Sequence, residues 1–174
     1  YMTGDNILFS NDAFGQHYAT EMLYNDLVDQ GELMVESIKY FANILNPFNP
    51  ILQKKLQEVL SLNLQIDMIA TSHGVIWREN PLQIVEKYVQ WSADYQENQI
   101  TVIYDTMWNG TRELAERIAL GIQLQDPAVT VKIFNLPKSD FNDVATEVFR
   151  SKAIAVGSPT VGNGLLHSVA GFLH

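Results

Sequence analysis

Cysteine is absent from this sequence of 174 residues, and so is any long uninterrupted apolar run. The first absence excludes disulfides, thiolate metal sites and cysteine nucleophiles, so a bound metal would need His, Asp or Glu ligands. A membrane-spanning helix needs about 20 consecutive apolar residues. No basic segment followed by an apolar one opens the chain as a secretion signal would. We therefore expect no membrane segment.

Positive charge is also scarce. The chain has 11 Lys and Arg residues against 20 Asp and Glu residues, which gives a formal net charge of −9. An acidic chain repels a phosphate backbone, so we expect no nucleic-acid partner. The hydrophobic fraction of 47% and charged fraction of 18% are typical of globular proteins. The length suffices for one ordinary domain or two small ones.

Two segments of the sequence have different patterns. In the first, residues 1–97, short strands are predicted at 7–9 and 66–70, and apolar spacing predicts a helix over 32–45. Further helices are predicted after Pro50 and from Pro81, which suits a first helical turn. Each predicted strand of this segment runs into a polar loop.

The second segment, residues 98–174, alternates strands with helices. Strands are predicted at 100–104, 129–134 and 153–157, with a helix after each, and Ser139 or Asp140 is predicted to cap the second of these helices. This order is typical of a doubly wound parallel sheet, so the fold class of the chain is predicted to be α/β.

Polar loops follow the first and third strands of the second segment, at 105–111 and 157–164. Hydroxyl, amide and glycine residues at a helix N-terminus can bind a phosphate group through backbone N–H groups and the helix dipole. Without a Gly-rich dinucleotide fingerprint, a mononucleotide is the better prediction. The same residues equally fit a capped helix with no ligand, and Trp108 can stack on a ring or only shield the loop.

Asp12 and His73 each lie just past a predicted strand of the first segment, where side chains from neighbouring strands converge. A carboxylate and an imidazole suit iron. Taken alone, however, the two residues are equally explained without a metal. Asp12 can cap a turn, and His73 can be a hydrogen-bonded histidine of the core. His17 is interpreted as a surface or outer-shell residue, and Arg78 is predicted to pair locally with Glu79.

Three motifs in this order resemble the flavodiiron proteins: Asn11-Asp12-Ala13-Phe14-Gly15, Ser72-His73-Gly74-Val75-Ile76-Trp77-Arg78 and Tyr104-Asp105-Thr106-Met107-Trp108. The resemblance covers essentially the whole chain. It implies that residues 1–97 are the C-terminal part of a metallo-β-lactamase-like αββα diiron domain. It also implies that residues 98–174 are the first half of a flavodoxin-like FMN-binding domain.

The resemblance also implies roles for individual residues. Asp12 matches the carboxylate that bridges two irons, and His73 matches the last histidine ligand of one iron. The match to the FMN phosphate loop comprises Thr106, Met107, Trp108, Asn109, Gly110 and Thr111. The match to the loop beside the ribityl chain and isoalloxazine comprises Ser158, Pro159, Thr160, Val161, Gly162 and Asn163. The family's His-x-Glu-x-Asp-His motif and a further His ligand are not in this sequence, so the resemblance implies an internal piece of a longer protein.

The function implied by the resemblance is reduction of nitric oxide to nitrous oxide. Electrons would pass from a rubredoxin-type donor, served by its NADH-dependent reductase, through FMN to a two-iron centre. A cytoplasmic homo-oligomer is implied, either a head-to-tail dimer or a dimer of dimers. Four alternatives stay open: a dioxygen reductase that makes water, a flavodoxin-like electron-transfer module without catalytic iron, a zinc hydrolase of the metallo-β-lactamase class, and a purely structural fragment.

Overall fold

A computed structural model describes residues 1–174, which form two compact units, Tyr1–Tyr95 and Gln96–His174. Both units combine helices with parallel strands, so the predicted α/β class is confirmed. None of the helices has the length and apolar character required to cross a membrane.

The first unit contains a two-stranded parallel sheet and three α-helices. Its elements in chain order are β1 (Ile7–Asn11), α1 (Gln30–Tyr40), α2 (Asn49–Ser61), β2 (Met68–Thr71) and α3 (Leu82–Ser92). β1 and β2 pair in parallel, with Leu8 opposite Ile69. Because the strands are parallel, the loops that follow them leave the same edge of the sheet.

The helix predicted over 32–45 is interrupted in the structure. Asp29 caps α1 by accepting a hydrogen bond of 2.8 Å from the Glu32 N–H. α1 ends at Tyr40, and the chain continues as a π-helical turn, Phe41–Leu45, and a 3-10 turn. Pro47 lies in the 3-10 turn and lacks the N–H that a continuing α-helix would donate, so α1 and α2 do not form one helix.

Aromatic rings make up much of the core of the first unit. Tyr88 on α3 is fully buried, and its ring centroid lies 4.7 Å from Phe14, 5.0 Å from Phe41 and 5.7 Å from Trp91. Phe14 belongs to the loop that follows β1. The core therefore anchors the loop in which Asp12 lies.

The second unit has a three-stranded parallel sheet. Its elements are β3 (Glu97–Tyr104), α4 (Gly110–Gln125), β4 (Thr130–Asn135), α5 (Phe141–Arg150), β5 (Ser151–Gly157) and α6 (His167–Phe172). The strand order is β4-β3-β5, so β3 is central and largely buried, as its β-branched sequence predicts. Asp140 caps α5 through its carboxylate, as predicted.

The core of the second unit has a cluster of four fully buried residues, Ile103, Leu136, Val144 and Val169. They come from β3, the segment after β4, α5 and α6. The sheet and the helices on one of its faces are therefore held together by a few aliphatic side chains.

We expect the substitution Ile103→Ala to lower the free energy of unfolding of the second unit by about 2–5 kcal/mol, because it removes buried methyl groups and leaves a cavity. Ile133→Ala is the matched control, since Ile133 lies on β4 and its side chain is exposed. Urea unfolding followed by circular dichroism measures both. Equal effects of the two substitutions would show that this cluster does not dominate the stability of the unit.

Candidate functional site

Asp12 and His73 lie side by side in the first unit. Asp12 directly follows β1, and His73 lies two residues beyond β2. The His73 Nε2 and the Asp12 Oδ1 are 3.2 Å apart, and the two side chains are 47% and 54% exposed. The Ser72 hydroxyl donates a hydrogen bond of 3.0 Å to the same carboxylate oxygen. The sheet thus brings together the Asp12 carboxylate and the His73 imidazole, as their places after the two strands predict.

A buried glutamine joins the two loops that carry these residues. Gln16 is fully buried, and its Nε2 donates hydrogen bonds of 3.3 Å to the Phe14 carbonyl and 3.2 Å to the Val75 carbonyl. Its Oε1 accepts a hydrogen bond of 2.8 Å from the Val75 N–H. The Gln16 N–H itself donates to the His73 carbonyl at 3.3 Å. Through these hydrogen bonds Gln16 is paired with the backbone of both loops.

Two further side chains stabilise the same pair of loops. The Trp77 Nε1 donates a hydrogen bond of 2.8 Å to the Phe14 carbonyl. The Thr71 hydroxyl lies 3.0 Å from the His73 carbonyl and 3.3 Å from the Val75 carbonyl. The backbone around Asp12 and His73 is therefore fixed mainly from the buried side, which leaves both side chains accessible at the surface.

Tyr40 and His17 lie beside this pair. The His17 ring meets the Tyr40 ring edge-on with centroids 4.8 Å apart, and it is 5.9 Å from the His73 ring. Burial, reinforced by the negative charge of Asp12, raises the pKa of the Tyr40 hydroxyl. Tyr40 therefore stays protonated at neutral pH and available as a hydrogen-bond donor.

The prediction that Arg78 pairs with Glu79 is wrong. The Arg78 guanidinium instead binds both carboxylate oxygens of Asp26, at 2.8 and 2.9 Å, and lies 3.8 Å from the centre of the Tyr24 ring. The reason is the neighbouring Asn25, whose Oδ1 accepts hydrogen bonds from the N–H groups of both Arg78 and Glu79. This pairing holds the 3-10 segment around Asn25 against the chain beyond His73.

In the second unit, the loop between β3 and α4 has an unpaired buried hydroxyl. The Thr106 Oγ1 is buried and has no hydrogen-bond partner. Asn109 adopts a left-handed conformation with φ of +65° immediately before α4, which turns the chain into the helix. Trp108 is 88% exposed, so it is not a packing residue within this unit.

The loop after β5 begins beside the loop after β3. Tyr104 and Gly157 are opposite each other in the parallel pairing of β3 and β5, so both loops leave the same edge of the sheet. Val161 and Gly164 exchange two backbone hydrogen bonds of 3.0 Å around Gly162 and Asn163, both of which have positive φ. This geometry is that of a type I′ turn.

A polar pocket of about 410 Å³ adjoins the first of these loops, on the side of β4. It contains the buried Asn135 Oδ1, which has no hydrogen-bond partner, as well as Thr106. Its lining residues are Tyr104, Asp105, Thr106, Met107, Asn109, Arg112, Glu116, Asn135, Pro137 and Lys138.

Known proteins similar to this chain match it over nearly all of its length. The chain is 56% identical over 173 residues to an anaerobic nitric oxide reductase flavorubredoxin of Vibrio vulnificus and 57% identical to one of Klebsiella pneumoniae. These matches cover 99% of the chain and 35–36% of the relatives. The chain therefore spans about a third of their length. No family model matches the sequence.

Solved structures give the same result. A rubredoxin oxygen:oxidoreductase of Desulfovibrio gigas superimposes with a TM-score of 0.91 at 31% identity, covering 98% of the chain and 42% of that protein. A flavodiiron protein of Giardia intestinalis superimposes with a TM-score of 0.89 at 34% identity, covering 98% of the chain and 41% of that protein. The chain belongs to the flavodiiron protein family.

Membership of this family raises the question of whether the residues present fit iron. A carboxylate next to an imidazole at exposed loop ends is a donor set that suits it. However, no group of three or more His, Cys, Asp or Glu side chains in the chain is arranged to hold a metal ion. Asp12 and His73 therefore offer two neighbouring donor groups of kinds that suit iron.

The fit to FMN depends on Thr106. A buried hydroxyl with no partner is costly unless a ligand or water pairs with it, and a phosphate oxygen at the start of α4 would accept its hydrogen bond. Gly157 is required nearby, because a Cβ at this position would lie 2.9 Å from the Thr111 methyl carbon. The unpaired Thr106 hydroxyl beside the N-terminus of α4 therefore suits a phosphate group.

Three residues at these sites were not predicted from the sequence, namely Gln16, Ser72 and Tyr40. Gln16 and Ser72 each lie within four positions of a predicted ligand, but nothing in a single sequence marks their hydrogen bonds. Tyr40 is more than 20 positions from either ligand and reaches them only through the packing of α1.

Gly74→Ala is expected to destabilise the first unit strongly. Gly74 has a φ of +76°, and an added Cβ would lie 1.8 Å from the Gln16 Oε1 and 2.6 Å from the Gln16 carbonyl oxygen. Gly162→Ala is the control, because Gly162 has a φ of +56° with no atom within 4 Å of the added Cβ. We expect the free energy of unfolding to fall by about 1 kcal/mol in the control and by at least about 3 kcal/mol in Gly74→Ala. Urea unfolding measures both. A similar loss in both would mean that backbone strain alone explains the requirement for glycine.

The ion pair between Asp26 and Arg78 predicts a pH dependence. Hydrogen bonding to the guanidinium lowers the pKa of Asp26. Its stabilising contribution is therefore present above the ordinary aspartate pKa of about 3.9 and disappears as the pH falls through the lowered folded-state value. We expect the difference in unfolding midpoint between the natural chain and Asp26→Asn to vanish at acidic pH. Asp5→Asn, at another exposed acid, is the control for the loss of one negative charge.

Proposed function

We propose that this chain is part of a flavodiiron oxidoreductase that reduces nitric oxide to nitrous oxide, with electrons passed through FMN to a two-iron centre. The observation that carries this proposal is the contact between Asp12 and His73 at 3.2 Å, in a chain more than half identical to flavorubredoxins throughout. Two iron ions would supply the binding and reduction of nitric oxide. The residues of this chain hold, orient and shield these cofactors.

The first unit, in this proposal, is part of a metallo-β-lactamase-like diiron domain. Asp12 would bridge two irons, since a carboxylate has two oxygens and its charge offsets part of the repulsion between cations. His73 would bind one of them through a ring nitrogen. Ser72 orients the carboxylate through its hydrogen bond to Oδ1. Both side chains are exposed at the surface of the unit, where ligands from the rest of the protein can reach the same ions.

The second unit is proposed to be part of a flavodoxin-like FMN domain. The N–H groups at the start of α4 and the hydroxyl groups of Thr106 and Thr111 would bind the phosphate. The loop of residues 158–163, fixed by its type I′ turn, would border the ribityl chain and the ring. Trp108 is exposed and belongs to the proposed phosphate loop, so its ring would be available to a bound flavin.

The partners follow from the same family resemblance. A rubredoxin-type protein with its NADH-dependent reductase would supply the electrons. A head-to-tail homodimer, alone or as a dimer of dimers, would bring the flavin of one subunit to the iron of the other. We propose a cytoplasmic location for this system.

A second candidate substrate is dioxygen. The structural relative from Desulfovibrio gigas is described as a rubredoxin oxygen:oxidoreductase and is 31% identical to the chain. The two substrates are distinguished by measuring consumption of nitric oxide and of dioxygen by the intact protein with the same reduced donor. Faster consumption of dioxygen would overturn the assignment of nitric oxide as the main substrate.

The iron assignment is tested with Asp12→Asn in the intact protein. The substitution keeps the shape of the side chain but removes its charge, so we expect iron content measured by elemental analysis to fall substantially. His17→Asn is the control, because His17 lies near His73 without an assigned ligand role. Unchanged iron content in Asp12→Asn would contradict the ligand assignment. Zinc in place of iron in the natural protein would favour a hydrolase.

The FMN assignment is tested with Thr106→Val, which replaces the unpaired hydroxyl with a methyl group of similar size. Loss of one hydrogen bond to a charged phosphate corresponds to about 1.5–3 kcal/mol, or roughly a 10–150-fold weaker affinity for FMN. Fluorescence quenching of FMN measures this affinity. Thr160→Val, at the exposed second loop, should have a smaller effect. Equal affinity in Thr106→Val and the natural protein would contradict the proposed phosphate contact.

A further inference from the structure

Gln16 has a set of contacts that the proposed chemistry does not use directly. It is a neutral polar side chain, fully buried, and it lies four residues after Asp12. A buried amide is costly unless its donors and its acceptor are paired. Both of its amide atoms are paired here, and all three partners are backbone groups of Phe14 and Val75.

Two of these three hydrogen bonds join different loops, because Gln16 itself lies in the loop that follows β1. Phe14 belongs to the loop after β1, which carries Asp12, and Val75 belongs to the loop after β2, which carries His73. The hydrogen bond from the Gln16 N–H to the His73 carbonyl adds a third link between them. Besides the contacts among the side chains of Asp12, Ser72 and His73, the hydrogen bonds of Gln16 are therefore a main connection between the loops after β1 and β2.

The space around Gln16 is closely matched to its shape. Gly74 has no room for a Cβ, because that atom would overlap the Gln16 Oε1. Gly15 is also tightly packed, since a Cβ added there would lie 3.1 Å from the Asp12 carbonyl oxygen and 3.3 Å from the His73 carbonyl oxygen. The two loops approach each other this closely only because glycine faces the glutamine.

We infer that Gln16 is a positioning residue for the iron site, which sets the separation of Asp12 and His73 by tying together the backbones that carry them. The inference rests on the proposed function, because it assumes that these two residues bind iron. The hydrogen bonds of Gln16 are all with backbone groups, so it acts through the backbone of Phe14, His73 and Val75. A bridging carboxylate and a histidine must be held at a fixed distance to share an ion, and rigid loops achieve this before the metal binds.

The test uses Gln16→Met in the intact protein, which keeps the length of the side chain and removes its hydrogen bonds. We expect the affinity for iron, measured by competition with a chelator, to fall about 10–100-fold. The Mössbauer spectrum of the remaining bound iron should also change, because the ligand geometry at the metal changes. A merely structural role would not alter that spectrum in the folded molecules.

The matched control is Gln99→Met in the second unit. Gln99 is also buried, and its Nε2 donates to the Glu147 carbonyl at 3.1 Å, the Glu147 carboxylate at 2.8 Å and the Ser151 hydroxyl at 3.2 Å. Its substitution removes a comparable set of hydrogen bonds away from Asp12. We expect iron affinity and the Mössbauer spectrum to stay as in the natural protein. Equal losses in the two variants would overturn the positioning role.

A second variant keeps the inference testable if Gln16→Met does not fold. Trp77→Phe retains an aromatic ring but removes the 2.8 Å hydrogen bond to the Phe14 carbonyl, which loosens the same loop from the same side. We expect a smaller loss of iron affinity in the same direction. If Gln16→Met does not fold and Trp77→Phe binds iron with natural affinity and spectrum, the inference is wrong.

The outcome is distinguishable from failure of the proposed function. Asp12→Asn, made alongside, loses iron if the ligand assignment is correct, whatever Gln16 does. Natural iron affinity in Gln16→Met together with iron loss in Asp12→Asn would overturn only the positioning role. Crystal structures of the metal-free variants give a readout independent of iron, since Gln16→Met should lengthen the 3.2 Å separation of Asp12 and His73.

Discussion

The geometry of the first unit depends on one buried polar interaction, the pairing of the Gln16 amide with the backbone of two loops. Strand pairing alone brings the ends of β1 and β2 to one edge, but the loops beyond the last paired residues, Asn11 and Thr71, are outside the ladder. The backbone groups in those loops need partners once they are buried. Gln16 supplies them, and it does so with a neutral group that adds no charge beside Asp12. The same requirement explains why glycine occupies position 74, where the chain passes closest to the amide.

The two candidate sites differ in how their buried polar groups are paired. At the first site the buried Gln16 amide is paired at both of its polar atoms, and the residues proposed to bind metal are exposed. In the second unit the Thr106 hydroxyl is buried and unpaired, while the neighbouring Trp108 is exposed. A preformed carboxylate and imidazole suit ions, which need several ligands from different directions. An unpaired hydroxyl at a helix N-terminus suits an anionic group that completes the hydrogen bonding when it arrives.

The sequence predicted what depends on local pattern. β3 was recognisable from its β-branched run and α5 from the cap at Asp140. The closeness of Asp12 and His73 was expected from their places after strands, whereas their role as metal ligands stays a prediction. What it missed depends on contacts between distant residues. The pairing of Arg78 with Asp26 follows from the hydrogen bonds of Asn25 to the backbone of Arg78 and Glu79, more than 50 positions away. The role of Gln16 is of the same kind, because its partners at Val75 are 59 positions away.

The parallel arrangement of β1 and β2 has a consequence for the order of events during synthesis. Asp12 and Ser72 are 60 positions apart in the sequence. The loop that carries Asp12 therefore lacks the loop that carries Ser72 until α1 and α2 have been translated. At about 5–20 residues per second, several seconds pass between the emergence of the two halves from the ribosome. During that interval α1 and α2 can form locally, whereas the edge of β1 remains without its partner β2. The newly made chain is thus exposed to mispairing before any metal-binding geometry exists, and a ribosome that pauses between the two strands would prolong that exposure.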